Sequence, residues 1–398
     1  MPVFRKLSRF LIRLIAIVLL LVLSLWLLIQ TDPVQNWIIG KVTARLSHDL
    51  KTPISIRHVN IIPFNQVALQ GFLIRDHHND TLLYAGAIKA NVTDWPFFKK
   101  SIDLKYIDLE DADVTLSRTD STWNYQFLID YFASPTPSLK TKSGPSIGMK
   151  EIQLGNVHVA QIDKWKGQSI ILDVGSLHLL ANDINFNTRM VDVNELALSH
   201  VGFTLSNYPA NRPDSLNLPD KTSADSLVNK NTDRHTKLEP VPQWNPDGWI
   251  VHVDRLRLED CRFRNEAYAD RAVYTYFDPQ HIDFNHIDAH FDHVSLLKDT
   301  LSANITFLST KERSGIEVKK LSAKARFTPR IMEFRQMDLT TNGSHLKDYF
   351  AMRYNGFSQS FGDFVTKVNM RGELKNSIVS TDDIAFFAPE LKTWKMLG

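Results

Sequence analysis

Beyond Pro53 the chain alternates, one apolar position and one polar, as a strand with one solvated face does. Ala112/Val114/Leu116, Leu301/Ala303/Ile305/Phe307 and Leu321/Ala323/Ala325/Phe327 place apolar groups on one face. Asp113, Thr115, Ser302, Asn304, Thr306, Ser322, Lys324 and Arg326 sit between them. The pattern predicts an elongated, mostly β chain whose strands pair antiparallel and are wet on one side. Ahead of it, Val34, Ile38, Val42, Leu46 and Leu50 recur every four residues beside Trp37, which predicts one amphipathic helix. Asp32 is the expected N-cap and Pro33 the first helical residue. Ile54–Val59 reads as the first strand.

An eight-residue pattern, apolar-x-Leu-x-(Gly/Asp/Asn/His)-apolar-x-apolar, occurs five times. The copies are Val67–Ile74, Ile107–Val114, Ile152–Val159, Leu196–Phe203 and Leu256–Phe263, starting 40, 45, 44 and 60 residues apart. Apolar parity flips at the fifth place, at Gly71, Asp111, Asn156, His200 and Asp260. A flip of this kind predicts a bulge or tight turn that re-aims the strand. Repetition at this period marks a β-repeat array, not a compact enzyme.

The N-terminus changes the picture. Residues 10–29 form a run of 20, apolar but for Arg13 and Ser24, long enough to cross a bilayer. No A-x-A-like cleavage site follows, so the reading is an uncleaved signal anchor. Arg5, Lys6, Arg9 and Arg13 give residues 1–13 a charge of +4, which holds that end in the cytoplasm. The remaining 42 basic and 44 acidic residues sum to −2, so the body carries no basic face for nucleic acid. The single cysteine, Cys261, excludes a disulfide framework and falls at an apolar repeat position, as a small core residue. The expected organisation is a cytoplasmic tail (1–9), a transmembrane anchor (10–29), and a helix with the first β-repeats (30–132). A linker (133–148), further β-repeats (149–206), a disordered insertion (207–247) and a continuing β-groove (248–398) follow.

Motifs with possible chemistry do not assemble into a catalytic set. Ser47–Pro53, SHDLKTP, matches the phospho-acceptor box of sensor histidine kinases, but no glycine-rich ATP-binding element follows. It reads instead as a helix end stopped by Pro53. Gly144–Gly148 fits G-x-S-x-G but sits in the linker, away from the strand-to-helix turn a nucleophile needs. His281, His286, His290 and His293, with Asp283, Asp288 and Asp292, form a dense ligand-type cluster. Its spacing lacks the H-E-x-x-H form of a zinc site, so it reads as a solvated strand face. No metal, cofactor or enzymatic activity is expected.

Signal anchor, short helix and repeated strands together resemble the AsmA-like superfamily of Gram-negative envelopes. Within it the chain is similar to the N-terminal part of TamB-type translocation and assembly module proteins. The carrying segments are Trp37–Leu50, Ile54–Val59, Leu69–Asp76, Asp80–Ala85, Ile107–Val114 with Trp123–Tyr125, Ser314–Ile316, Leu321–Phe327, Asp382–Ile384 and Pro389–Leu391. The resemblance implies a twisted sheet curled into an apolar groove, anchored in the inner membrane and lying in the periplasm. It implies phospholipid acyl chains as cargo, conducted toward the outer membrane. It also implies a role in outer-membrane assembly, through a barrel partner reached by a C-terminal part beyond Gly398. The expected groove lining is Ala112, Val114, Leu116, Leu301, Ala303, Ile305, Phe307, Leu321, Ala323, Ala325 and Phe327. A scaffold for outer-membrane protein insertion without lipid transport is the alternative, and a sensor or enzyme a third reading.

Overall fold

The computed structural model describes residues 31–62, 66–92, 104–133, 149–185, 188–213, 243–267, 271–356 and 367–387, with Leu20 and Ser24. Strands make up 63% of the described structure. The predicted anchor, most of both linkers and Gly144–Gly148 lie outside the described residues. Among the described residues no helix is long and apolar enough to cross a membrane.

Helix α1 (Asp32–Leu50) begins one residue earlier than expected, with Thr31 as N-cap and Pro33 in its first turn. The predicted stripe holds at Leu46 and Leu50 but not at Val42. Gln35, Ile39 and Leu50 are buried, whereas Trp37 is 66% exposed and Val42 faces outward. The kinase-like box is a joint between this helix and the sheet. Lys51 closes the helix in the left-handed conformation, its N–H bonded to the Ser47 carbonyl. The Ser47 hydroxyl accepts from the Ile54 N–H (3.0 Å), and the Thr52 hydroxyl donates to the Arg75 carbonyl (2.6 Å). The predicted first strand is split into β1 (Ile54–Ser55) and β2 (His58–Ile62).

The remaining strands are β3 (Gln66–Arg75), β4 (Thr81–Val92), β5 (Leu104–Arg118), β6 (Glu151–Asp163), β7 (Gln168–Asn185), β8 (Met190–Asn207) and β9 (Ile250–Ala267). After them come β10 (His281–Leu297), β11 (Thr300–Glu312), β12 (Glu317–Val318), β13 (Lys320–Thr328), β14 (Ile331–Thr340), β15 (His345–Arg353) and β16 (Asn369–Leu374). Helix α2 (Gln126–Ala133) follows β5, and α3 (Thr381–Ala385) follows β16. All the strands belong to one twisted 16-stranded sheet. It runs in sequence order from β1 and β2, both paired with β3, to an edge at β16, with β12 appended to β11.

The sheet is mixed, which corrects the antiparallel expectation. β5 pairs with β6, and β8 with β9, in parallel. Parallel neighbours cannot be joined by a hairpin and need a long crossover. The two segments read as linkers, 133–148 and 207–247, fall largely within those crossovers: 119–150 carries α2, and 208–249 is the longer. The near-constant spacing of the copies therefore hides two different connections. From β3 to β5, and from β6 to β8, it spans two antiparallel turns; from β5 to β6 it spans one crossover.

The core is thin. A cluster of Leu50, Ile54, Ile74 and Leu82, packed by Leu46, Leu116, Phe127 and Leu128, is roofed by α1 and α2 at the β1 end. Two further clusters are built of side chains from strands adjacent in the sheet, with Met149, just ahead of β6, joining one of them. Leu82 and Val193 are the largest apolar side chains with essentially no exposure, and most leucines of the apolar face stay half-buried.

Candidate functional site: an apolar face organised in lanes

The five repeat copies determine how this face is built. Gly71, Asp111, Asn156, His200 and Asp260 all adopt positive φ, between 46° and 60°. One left-handed residue in each copy turns the backbone so that both halves point apolar groups to the same side. Leu109 and Ala112, and Leu154 and Val157, accordingly share one cluster, which Leu177 and Val174 of β7 join. Two more strands carry related copies with Phe at the third place: Ile282–Ala289, kinked at His286, and Met332–Leu339, which also has Gln at the fifth place and is kinked there, at Gln336. Requiring Leu there hid both copies from the sequence reading.

Register joins the copies into rows perpendicular to the strands. First-place residues line up as Val67, Ala90, Ile107, Ile152, Leu179, Leu196, Leu256, Phe291, Ile305 and Ala323. The third-place leucines form a second lane: Leu69, Ile88, Leu109, Leu154, Leu177, Leu198, Leu258, Ala289 and Leu308. Across the kink, Phe72, Ala85, Ala112, Val157, Val174 and Val201 make a third. The fourth is Ile74, Leu83, Val114, Val159, Leu172, Phe203, Phe263 and Phe284, ending against buried Glu312. Phe203 and Phe263 stack with centroids 5.9 Å apart. At about 4.8 Å per strand the first lane runs for roughly 43 Å along the sheet.

Among the predicted lining residues, Ala112, Val114, Ile305 and Ala323 lie in these lanes. Leu301 pairs with Phe327 and Ala303 with Ala325, extending the same face, while Leu321 opposes Leu339. Leu116 packs into the cluster roofed by the helices, as the lane residues Ile74 and Leu83 do. One expectation is corrected. Phe307 turns away from Ile305. A one-residue bulge at Thr306 puts Phe307 opposite His290, ring centroids 6.0 Å apart, and gives its place to Leu308, the partner of buried Ala289.

The opposite face is laced with polar pairs. His158 bonds Asp173 (2.6 Å), His178 bonds Glu151 (3.1 Å) and His286 bonds Asp260 (2.8 Å). The histidine cluster of β10 is thus divided among separate partners. Asp288 accepts the Asp260 N–H, and His281 pairs with Glu266. Asp283 corrects the solvated-face reading, being buried in a bidentate pair with Arg262 (2.9 and 2.6 Å) that holds its carboxyl below the usual range. Among the described residues, His293 is the member of this cluster that joins a group of three ligand-type side chains, with His252 and Asp254 of β9. Cys261 is buried opposite Ile287, as its apolar repeat position predicts.

No protein-family model matches the chain, and no similar protein was found among curated proteins.

Proposed function

We propose that this chain is a non-enzymatic, membrane-anchored lipid conduit of the cell envelope, similar to AsmA-like and TamB-type proteins. In this reading residues 10–29 anchor it in the inner membrane and the sheet lies in the periplasm. Acyl chains slide along the lanes toward the outer membrane. The observation that carries the reading is the continuity of the apolar lanes on a face that, among the described residues, helices roof at its β1 end. A large half-buried apolar surface must be covered by something. A lane is unbroken and sequence-tolerant, so it suits a long flexible hydrocarbon better than a compact ligand. At about 0.8 kcal/mol per buried CH₂, an acyl chain gains ample affinity without a fixed site.

A scaffold for inserting outer-membrane proteins is the second reading, favoured by β16. All its residues are exposed, it pairs only with β15 among the described residues, and such an edge accepts an added strand. One experiment separates the two. A photo-reactive residue at Val114 or Leu177, in the lanes, is expected to capture phospholipid in cells. The same probe at Thr306 or Ser176, on the polar side, is expected to capture little. Equal capture from both faces, or protein adducts at β16 with no lipid at the lanes, would move the assignment to the scaffold.

A further inference from the structure

We propose that His252, Asp254 and His293 bind a divalent transition-metal ion, with zinc the species that suits them. The site is built by register. His252 and Asp254 are two apart in β9 and share its polar face, since Val253 between them is buried on the other side. His293 in β10 stands directly across from Asp254, between the Asp292–Arg255 and Val294–Val253 pairs. It takes a positive φ of 52° beside a register shift against β11.

The result is two imidazole nitrogens and one carboxylate oxygen within 4.8 Å of one another. His252 Nε2 lies 2.9 Å from Asp254 Oδ1, and His293 Nδ1 lies 3.9 Å from the same oxygen. In a tetrahedral zinc site with bonds near 2.1 Å, ligand atoms sit about 3.4 Å apart, between these two separations. Small rotamer adjustments close the shell. A cleft of about 450 Å³, lined also by Leu180, Asn194 and Asp292, opens at Asp254 and His293 and leaves room for a fourth ligand. Arg255, the cation at its mouth, is already paired with Glu195 at 3.0 Å. An ion held here would staple β9 to β10 just after the second crossover.

The test uses the full chain, free of any histidine tag, titrated with Co²⁺, read by ligand-field absorption and then displaced by Zn²⁺. One saturable site per chain is expected. His252→Ala, Asp254→Asn and His293→Ala should each weaken it by at least about tenfold, since even an outer partner of a metal ligand commands that much. His286→Ala, in the neighbouring Asp260 pair, should leave binding unchanged. The His293 side chain is 69% exposed, so circular dichroism of His293→Ala should match the parent and keep folding apart from binding. No saturable uptake by the parent chain, or full uptake by His293→Ala, overturns the proposal.

Discussion

At the scale of single residues, the ionic pairs that matter sit where the topology is least ordinary. Asp163, at the end of β6, accepts two bonds from Arg118 of β5 (2.8 and 2.7 Å) and one from the Lys166 N–H. It clasps the end of the first parallel pair, and Arg118 also lies over the Trp123 ring, 4.7 Å from its centroid. The guanidinium holds the Asp163 carboxyl below its ordinary range, against the opposing effect of burial. Asp163→Ala would leave a largely buried arginine unpaired and should cost about 3 kcal/mol of stability in chemical denaturation. The pH dependence has a definite sign. Because the folded pKa is depressed, the contribution is complete above the unfolded value of about 3.9 and is lost as pH falls below it. Denaturation of the parent chain should therefore show a loss below that pH that is smaller in Asp163→Ala.

At the scale of elements, the kink row decides what each strand can carry. In β4 and β7 the positions that face left-handed residues of the neighbouring strands are glycines, Gly86 and Gly175. Gly175 opposes His200, and a Cβ there would stand 2.7 Å from the His200 Cβ and 3.0 Å from the Ser199 carbonyl. Gly86 faces Asp111 in the same way, at 2.9 Å. Backbone atoms on a paired strand cannot step aside, so Gly175→Ala should cost about 1–3 kcal/mol. Gly202→Ala, whose Cβ would meet nothing closer than the Asp173 side chain at 3.7 Å, should be nearly neutral. Urea denaturation of the two variants side by side checks this. Parallel denaturation curves for both would mean the row has slack that the backbone geometry does not show.

At the scale of the whole molecule, the proposed conduit implies transport along the sheet, across the strands. A charge set into a lane should obstruct every acyl chain that passes, because an unpaired ion on an apolar path costs several kcal/mol. Leu177 and Ser176 are neighbours on β7 with opposite fates: Leu177 sits in the leucine lane, while Ser176 is exposed on the other side. Leu177→Glu should abolish phospholipid capture by a probe placed several strands away at Leu301 and impair envelope integrity. Ser176→Glu should do neither. Comparable protein levels and circular dichroism make the comparison fair, and undiminished capture in Leu177→Glu would argue against passage along this face.

Alternation and the fixed Leu-x-polar-apolar pattern were enough to read strands, a repeated unit and a re-aimed backbone at Gly71, Asp111, Asn156, His200 and Asp260. These are local properties: side chains alternate with period two, and a parity break within one strand has to be absorbed by that strand. Strand direction, and which residues stand opposite each other, are not local. The parallel pairs depend on how the two long connections return, and no pattern within β5 or β6 records that. The Thr306 bulge is decided by pairing with β10, so Phe307 left the apolar face although its own strand alternates without fault. Leu116 met α1 and α2 only after the chain had folded back, and His293 met His252 and Asp254 across a register set by two strands together. Periodicity belongs to the segment; opposition belongs to the pair, and only the assembled sheet pairs the segments.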